Sequence, residues 1–191
     1  MSWFRIARGV LVVAAIALPA LALSGAAPAA KGKLSSNAQI ERGKYLVGIC
    51  SCNDCHTPGT LFGAPDFDRM LSGSEVGWSG PWGVSYARNL TPDKETGLGT
   101  WSDKDIITAF RTGKRPDGRV LNPPMPWQNL NGMSDKDAQA IVAFLRSIPA
   151  VSHKVPEIVP PGTPPSTPVI PFPAPGAWDA PKAAPGASGN H

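Results

Sequence analysis

The run Cys52-Asn53-Asp54-Cys55-His56 places two thiols three residues apart and an imidazole on the residue after the second. On a helical turn, positions i, i+3 and i+4 share one face. Two thiols so placed can add to the two vinyl groups of one haem, while the imidazole reaches its iron. Cysteines three apart also occur in zinc knuckles and redox dithiols. A zinc site here would have to draw all four ligands from Cys50, Cys52, Cys55 and His56, because His153 and His191 lie in or beside the tail. A thioredoxin-like dithiol belongs to a βαβ context that this sequence lacks. The motif therefore points to one covalent haem c, with Cys52 and Cys55 as thioether positions and His56 as an iron ligand. Cys50 is too close to Cys52 for good disulfide geometry and reads as a small buried side chain on the first helix.

The other face of such an iron needs a ligand or an opening. Beyond the initiator, the methionines are Met70, Met125 and Met133. Met125 stands in Asn122-Pro123-Pro124-Met125-Pro126-Trp127, where prolines on both sides fix an extended loop able to hold a thioether in one place. Met133 precedes a helix cap and reads as a core contact, and Met70 lies too near the attachment motif to reach the far face. Met125 is thus the expected sixth ligand, with a gap-filling core role as the competing reading. His and Met together fill both axial positions, raise the reduction potential and leave no place for substrate, which describes an electron carrier rather than an enzyme. The alternative of another class is a haem enzyme or gas sensor with an open sixth position.

Three helices are expected to frame this site. Ser36-Asn37-Ala38-Gln39 has capping-box form, and Ile40, Gly43, Leu46, Val47 and Cys50 recur at helical spacing toward the cysteines. Ser102 caps a second helix, with acids in its first turn, Ile106, Ala109 and Phe110 on one face and Gly113 at its end. Ser134 caps a third, with Ala138, Ile141, Val142, Leu145 and Ile148 along one side until Pro149. No segment alternates at strand period for more than a few residues. The Gly-, Pro- and Trp-rich stretches 57–100 and 114–132 are long for loops, and a macrocycle on which their aromatics pack would order them. Trp78, Trp82, Trp101 and Trp127 are candidates for that packing. An indole N–H, Arg88 or Asn89 is a candidate donor to a haem propionate, and Pro58 or Pro65 a candidate carbonyl for the His56 ring.

The ends of the chain read differently from its middle. Arg5 and Arg8 precede an apolar run from Val10 to Leu23 and the small residues Ser24 to Ala30, the layout of a secretory signal peptide, with cleavage after Ala29 or Ala26. Pro19 interrupts the run, which is shorter than the ~20 residues of a membrane span, so membrane association is expected only if this segment stays uncleaved. The formal net charge of +4 falls to +2 without Arg5 and Arg8. The remaining Lys and Arg are scattered among the acids and form no basic stripe, which argues against nucleic acid as a partner. Residues 155–191 hold eleven of the 22 prolines and are expected to be an extended or disordered tail. The reading is a signal peptide over 1–30, one haem domain over 31–154 and the tail, exported to the bacterial periplasm.

Several motifs together resemble one known family. Arg42-Gly43-Lys44-Tyr45-Leu46-Val47, Cys52 to Pro58, Asn89-Leu90-Thr91-Pro92-Asp93, Thr96-Gly97-Leu98-Gly99-Thr100-Trp101-Ser102, Pro116-Asp117-Gly118 and Pro124-Met125-Pro126 are similar to class I c-type cytochromes. The nearest group resembles the cytochrome subunits and domains of periplasmic alcohol, gluconate and aldehyde dehydrogenases, over about Ala38 to Pro149. The resemblance implies an all-α class I cytochrome c fold, in which the first and last helices cross and His56 and Met125 are axial. It also implies redox partner proteins: a periplasmic dehydrogenase, another cytochrome or a terminal oxidase. Members of that group often carry three haem domains, whereas this sequence has one attachment motif.

Overall fold

The computed structural model describes residues 36–173, so the expected signal peptide and the last part of the tail lie outside the described residues. Helix α1 (Ser36–Ile49) is followed by the short helix α2 (Cys52–His56). Two single 3-10 turns and a hairpin of β1 (Gly77–Gly80) and β2 (Gly83–Tyr86) come next. Helices α3 (Asp103–Thr112), α4 (Trp127–Leu130) and α5 (Asp135–Ser147) and a last strand, β3 (Val169–Pro171), complete the order.

The three expected helices form, and α3 and α5 start at their expected caps, whereas Ser36 is itself the first residue of α1. Ser102 Oγ accepts from Asp105 N at 3.1 Å, and the Asp105 carboxylate accepts from Ser102 N at 3.0 Å, a reciprocal box that starts α3. Gly113, at φ 72°, ends it. Ser134 Oγ accepts from Asp137 N at 3.2 Å to start α5.

Helices α1 and α5 make the most extensive contact between elements. Gly43 permits it: a Cβ there would lie 1.9 Å from the Ala140 carbonyl oxygen, so the two backbones approach more closely than any larger residue allows. Around that crossing Leu46, Val47, Ile141, Val142, Phe144 and Leu145 are buried, joined by Leu71, Leu98 and Ile106 from the loops and α3. Each such side chain contributes about 1.5–3 kcal/mol relative to exposure. Arg42 bonds Asp137 at 2.9 Å across the outside of the crossing. Arg146 of α5 donates to Leu98 O at 2.9 Å and to Trp101 O, tying α5 to the loop that enters α3.

Two expectations are corrected. Strands do form: β1 pairs antiparallel with β2 around the turn at Pro81-Trp82, with register Gly77 to Tyr86. At four residues each, with glycine at three of the four ends, they are too short to reveal a period of two. The second correction concerns the tail. It is extended as expected, but residues 155–173 lie against the domain, so no boundary falls at 154. Strand β3 pairs parallel with β1 as an edge strand, the position proline tolerates. Val84 and Val159 exchange backbone hydrogen bonds at 2.8 and 3.0 Å, and Val155 is buried against Val84 and Tyr86. Tyr86 Oη shares a hydrogen bond with Thr167 Oγ1 at 2.9 Å, and Phe172 packs edge-on against Trp82.

The long loop after the attachment motif has an order of its own. Asn89 is almost fully buried and donates to Thr96 Oγ1 and Val151 O at 2.9 and 2.8 Å, while its oxygen accepts from Thr91 N and Thr91 Oγ1. His153 N donates to Thr96 Oγ1, and its ring lies between Ser72 O and Glu75. Hydrogen bonds to the segment after α5 therefore hold this loop, in addition to any packing on a macrocycle.

Candidate haem site

Helix α1 ends at Ile49, and Ser51 takes the left-handed region at φ 55°, so the chain turns sharply before α2. That turn gives the attachment motif a helix of its own, with Cys52, Cys55 and His56 on its cavity side. The cavity has a volume of about 1110 Å³. Pockets for small ligands run to about 300–1,000 Å³, so this one suits a large macrocycle. Cys52, Cys55 and His56 lie on its wall, and Met125, Pro124 and Leu121 also line it. Leu98, Phe110, Ile141 and Leu145 supply apolar surface from the core.

The His56 ring is fixed by one strong partner. Its Nδ1 lies 2.6 Å from Arg88 O, so the Nδ1–H tautomer donates to that carbonyl and leaves Nε2 as the lone-pair nitrogen. Nε2 has no hydrogen-bond partner among the described residues. Burial lowers the pKa of His56, opposed by its bond to Arg88, and so favours the neutral form that can ligate iron. Arg88 O takes the role expected of Pro58 or Pro65: the Pro58 carbonyl instead accepts from Asp66 N at 2.9 Å and closes a local turn.

The thiols distinguish between the chemistries open to the motif. Burial, with the neighbouring Cys50 adding to it, pushes the Cys52 thiol up to about 12, and burial raises Cys55 as well. A redox dithiol needs a thiolate that forms readily, which this environment opposes. Among the described residues no group of three or more His, Cys, Asp or Glu is gathered to hold a metal ion. Conversion to a thioether removes the ionisable proton, and the apolar wall then suits both sulfurs. Cys50 differs from its expected place in the core: it follows α1 at the turn, is partly exposed and lines the cavity.

Of Met70, Met125 and Met133, Met125 lines the cavity, while the other two pack against the core. Trp78 and Trp101 lie on the cavity wall. Trp127 instead packs on Gly113 at the end of α3, and Trp82 donates its indole N–H to Ser85 Oγ at 3.2 Å. Asn89 borders the cavity but has spent both amide hydrogens on Thr96 and Val151, so it serves as a clamp between loops. Arg88 also borders it, with its guanidinium bonded to Glu157 at 3.0 Å and to Val155 O at 3.4 Å.

Sequence reasoning missed Arg115 and Arg119, which line the same cavity. Arg115 stacks 5.3 Å from the Trp101 ring centroid and is largely enclosed. Its desolvation, and the nearby charges of Arg119 and Arg88, lower its pKa, partly offset by Asp117. A cluster of three guanidiniums beside an apolar cavity favours an anionic group such as a propionate. The signal was present as the cationic run Lys114-Arg115-Pro116-Asp117-Gly118-Arg119.

An apolar cavity of macrocycle size, two protonated thiols and a neutral imidazole on one wall and a thioether in the lining form one constellation, and residues 40–149 match the cytochrome c family model. The chain belongs to the cytochrome c family. This family binds haem c covalently and transfers electrons, and its class I fold is helical around the haem. The chain is 36% identical over 118 residues to a fructose dehydrogenase cytochrome subunit of Gluconobacter japonicus, covering 60% of this chain and 23% of that protein. It is 34% identical over 154 residues to the cytochrome c subunit of a quinone-type alcohol dehydrogenase of Gluconobacter oxydans, covering 79% and 30%. It is 34% identical over 110 residues to a gluconate 2-dehydrogenase cytochrome c subunit of Pantoea cypripedii, covering 58% and 23%. This cytochrome c chain thus spans less than a third of the length of these relatives. Among its described residues no helix is long and apolar enough to cross a membrane.

Proposed function

We propose that this chain is a single-haem electron carrier of the periplasm, taking electrons from a dehydrogenase and passing them to another cytochrome or a terminal oxidase. The observation that carries the reading is the shared cavity: Cys52, Cys55 and His56 on its wall, with Met125 in the same lining. One attachment motif in the sequence supports one haem. The three relatives described above are named as cytochrome subunits of dehydrogenases, which supports a dehydrogenase as the electron donor. The N-terminal layout of Arg5, Arg8 and an apolar run supports export.

The haem would supply a one-electron redox couple. The protein's part is to hold and tune it. Cys52 and Cys55 would attach it, and Arg88 O keeps His56 in the tautomer that can ligate iron. Met125 would be the second protein ligand to the iron, which would exclude small molecules and raise the potential. Arg115, stacked on Trp101, would with Arg88 and Arg119 offset propionate charge.

The test is the absorption spectrum of the purified exported protein, oxidised and reduced, with an alkaline pyridine assay and added carbon monoxide. A c-type spectrum with the weak far-red sulfur–iron band and no response to carbon monoxide is expected. Met125→Ala should remove that band, lower the potential and admit carbon monoxide. A wild-type protein that binds carbon monoxide freely would replace the carrier by an open-site enzyme or sensor.

A further inference from the structure

The segment Gly83 to Arg88 bonds to two separate stretches that line the cavity. At its end Arg88 O accepts from His56. In its middle, the buried Ser85 hydroxyl donates to Pro123 O at 2.5 Å, two residues before Met125. The direction of that bond follows from the partners. An indole N–H can only donate, so Ser85 Oγ accepts from Trp82 and its single proton is left for the Pro123 carbonyl.

The Met125 loop has few other ties. Pro123, Pro124 and Pro126 carry no N–H. Met125 N bonds locally to Asn122 O at 3.3 Å, and Pro126 O accepts from Asn129 N in the next turn. Among the described residues, the Ser85 bond is the one hydrogen bond joining 122–126 to a distant segment. Strand β2 is itself held on both sides, by β1 and by the Val84–Val159 pair.

We propose that Ser85 is a positioning residue, whose hydroxyl pins the Pro123–Pro126 loop to β2 and so keeps Met125 against the haem cavity. The inference rests on the reading of Met125 as the sixth ligand. Without the hydroxyl the loop opens more often, and an external ligand competes better for the position that Met125 guards.

The experiment uses the full-length haem-loaded chain and imidazole added to the oxidised protein, whose apparent affinity scales with the fraction of open loop. Loss of one neutral hydrogen bond shifts such an equilibrium by about fivefold. Ser85→Ala should therefore bind imidazole about fivefold more tightly and show a weakened far-red sulfur–iron band. Ser85→Cys, close in size but a weak donor, should move in the same direction, and Ser85→Thr, which keeps a hydroxyl, should restore both readouts. Met125→Ala serves as the reference for a fully open site. If Met125→Ala abolishes the band but Ser85→Ala and Ser85→Cys bind imidazole as the wild type does, the positioning role is overturned while the ligand reading stands. Lowered unfolding stability without a change in imidazole affinity overturns it equally. If Met125→Ala keeps the band, the ligand reading fails and this inference falls with it.

Discussion

Gly43→Ala and Gly48→Ala are the same substitution five residues apart on α1, and the structure gives them opposite signs. A methyl at Gly43 would lie 1.9 Å from Ala140 O, 2.6 Å from Ala140 C and 2.8 Å from Phe144 Cβ. The first two are backbone atoms of α5 and have no rotamer by which to yield. Ordinary contact begins near 3.5 Å, so the helices would have to part by about 1.5 Å. That would loosen the packing of Leu46, Val47, Ile141 and Leu145 together, since all belong to the core at that crossing. Overpacking of this kind costs about 3 kcal/mol or more, and the better helix propensity of alanine returns about 1 kcal/mol. The net loss is about 2–4 kcal/mol, a large part of the 5–15 kcal/mol typical of a domain. At about 3–5 °C per kcal/mol for this size, the midpoint should fall by about 6–20 °C. At Gly48 a methyl meets nothing within 4 Å, and the same substitution should stabilise by up to about 1 kcal/mol. Urea and thermal unfolding of both haem-loaded variants, followed by far-ultraviolet circular dichroism, give the comparison. Two shifts of the same sign, or a Gly43→Ala cost below about 0.5 kcal/mol, would refute the claim that this glycine sets the helix approach.

Asp117 accepts from Arg119 at 2.7 Å, which with the Arg119 backbone N–H and the charge of Arg115 holds its carboxyl down to about 2 against the opposing effect of burial. A carboxylate with a lowered folded pKa contributes stability above the ordinary value of 3.8 and loses it as pH falls toward about 2. The side chain is 41% exposed, so the contribution is below about 1 kcal/mol. Asp117→Asn should flatten the stability profile between those pH values, and an unchanged profile would show the pair to be without consequence. Gly83 has φ 91°, and a Cβ there would lie 2.0 Å from Val159 O. Gly83→Ala should therefore break the Val84–Val159 pairing on β2 and speed tryptic cleavage after the exposed Lys154 by on the order of tenfold. Cleavage at the wild-type rate would mean that the packing of the segment after Lys154 does not depend on that contact.

The parts of this protein governed by local rules were legible from the sequence. A Ser with an acid three residues on and a glycine or proline at the far end specifies α3 and α5 through bonds made within a few residues, and both start where those residues stand. The attachment motif is similarly local. Its chemistry is contained in five residues, because a single helical turn is enough to bring two thiols and an imidazole to one face. The prolines around Met125 likewise identified a rigid loop worth watching, and the spacing at Gly43, Leu46 and Val47 marked the face of α1 that is buried.

What joins these parts depends on contacts between residues far apart in the chain, which composition and periodicity do not encode. Asn89 looked like a donor for the haem, but its burial beside Val151 turned it into a clamp. The His56 ring found its carbonyl 32 residues away at Arg88, and the tail, proline-rich and apparently without a core of its own, became an edge strand because β1 offered unpaired backbone groups. The sequence by itself thus pointed to the cofactor chemistry, the helices and the candidate axial residues, each legible within a turn or a loop. Only the tertiary structure decided how the two axial candidates are held in the lining of one cavity, because that depends on Gly83 to Arg88 bonding both to His56 and to Pro123.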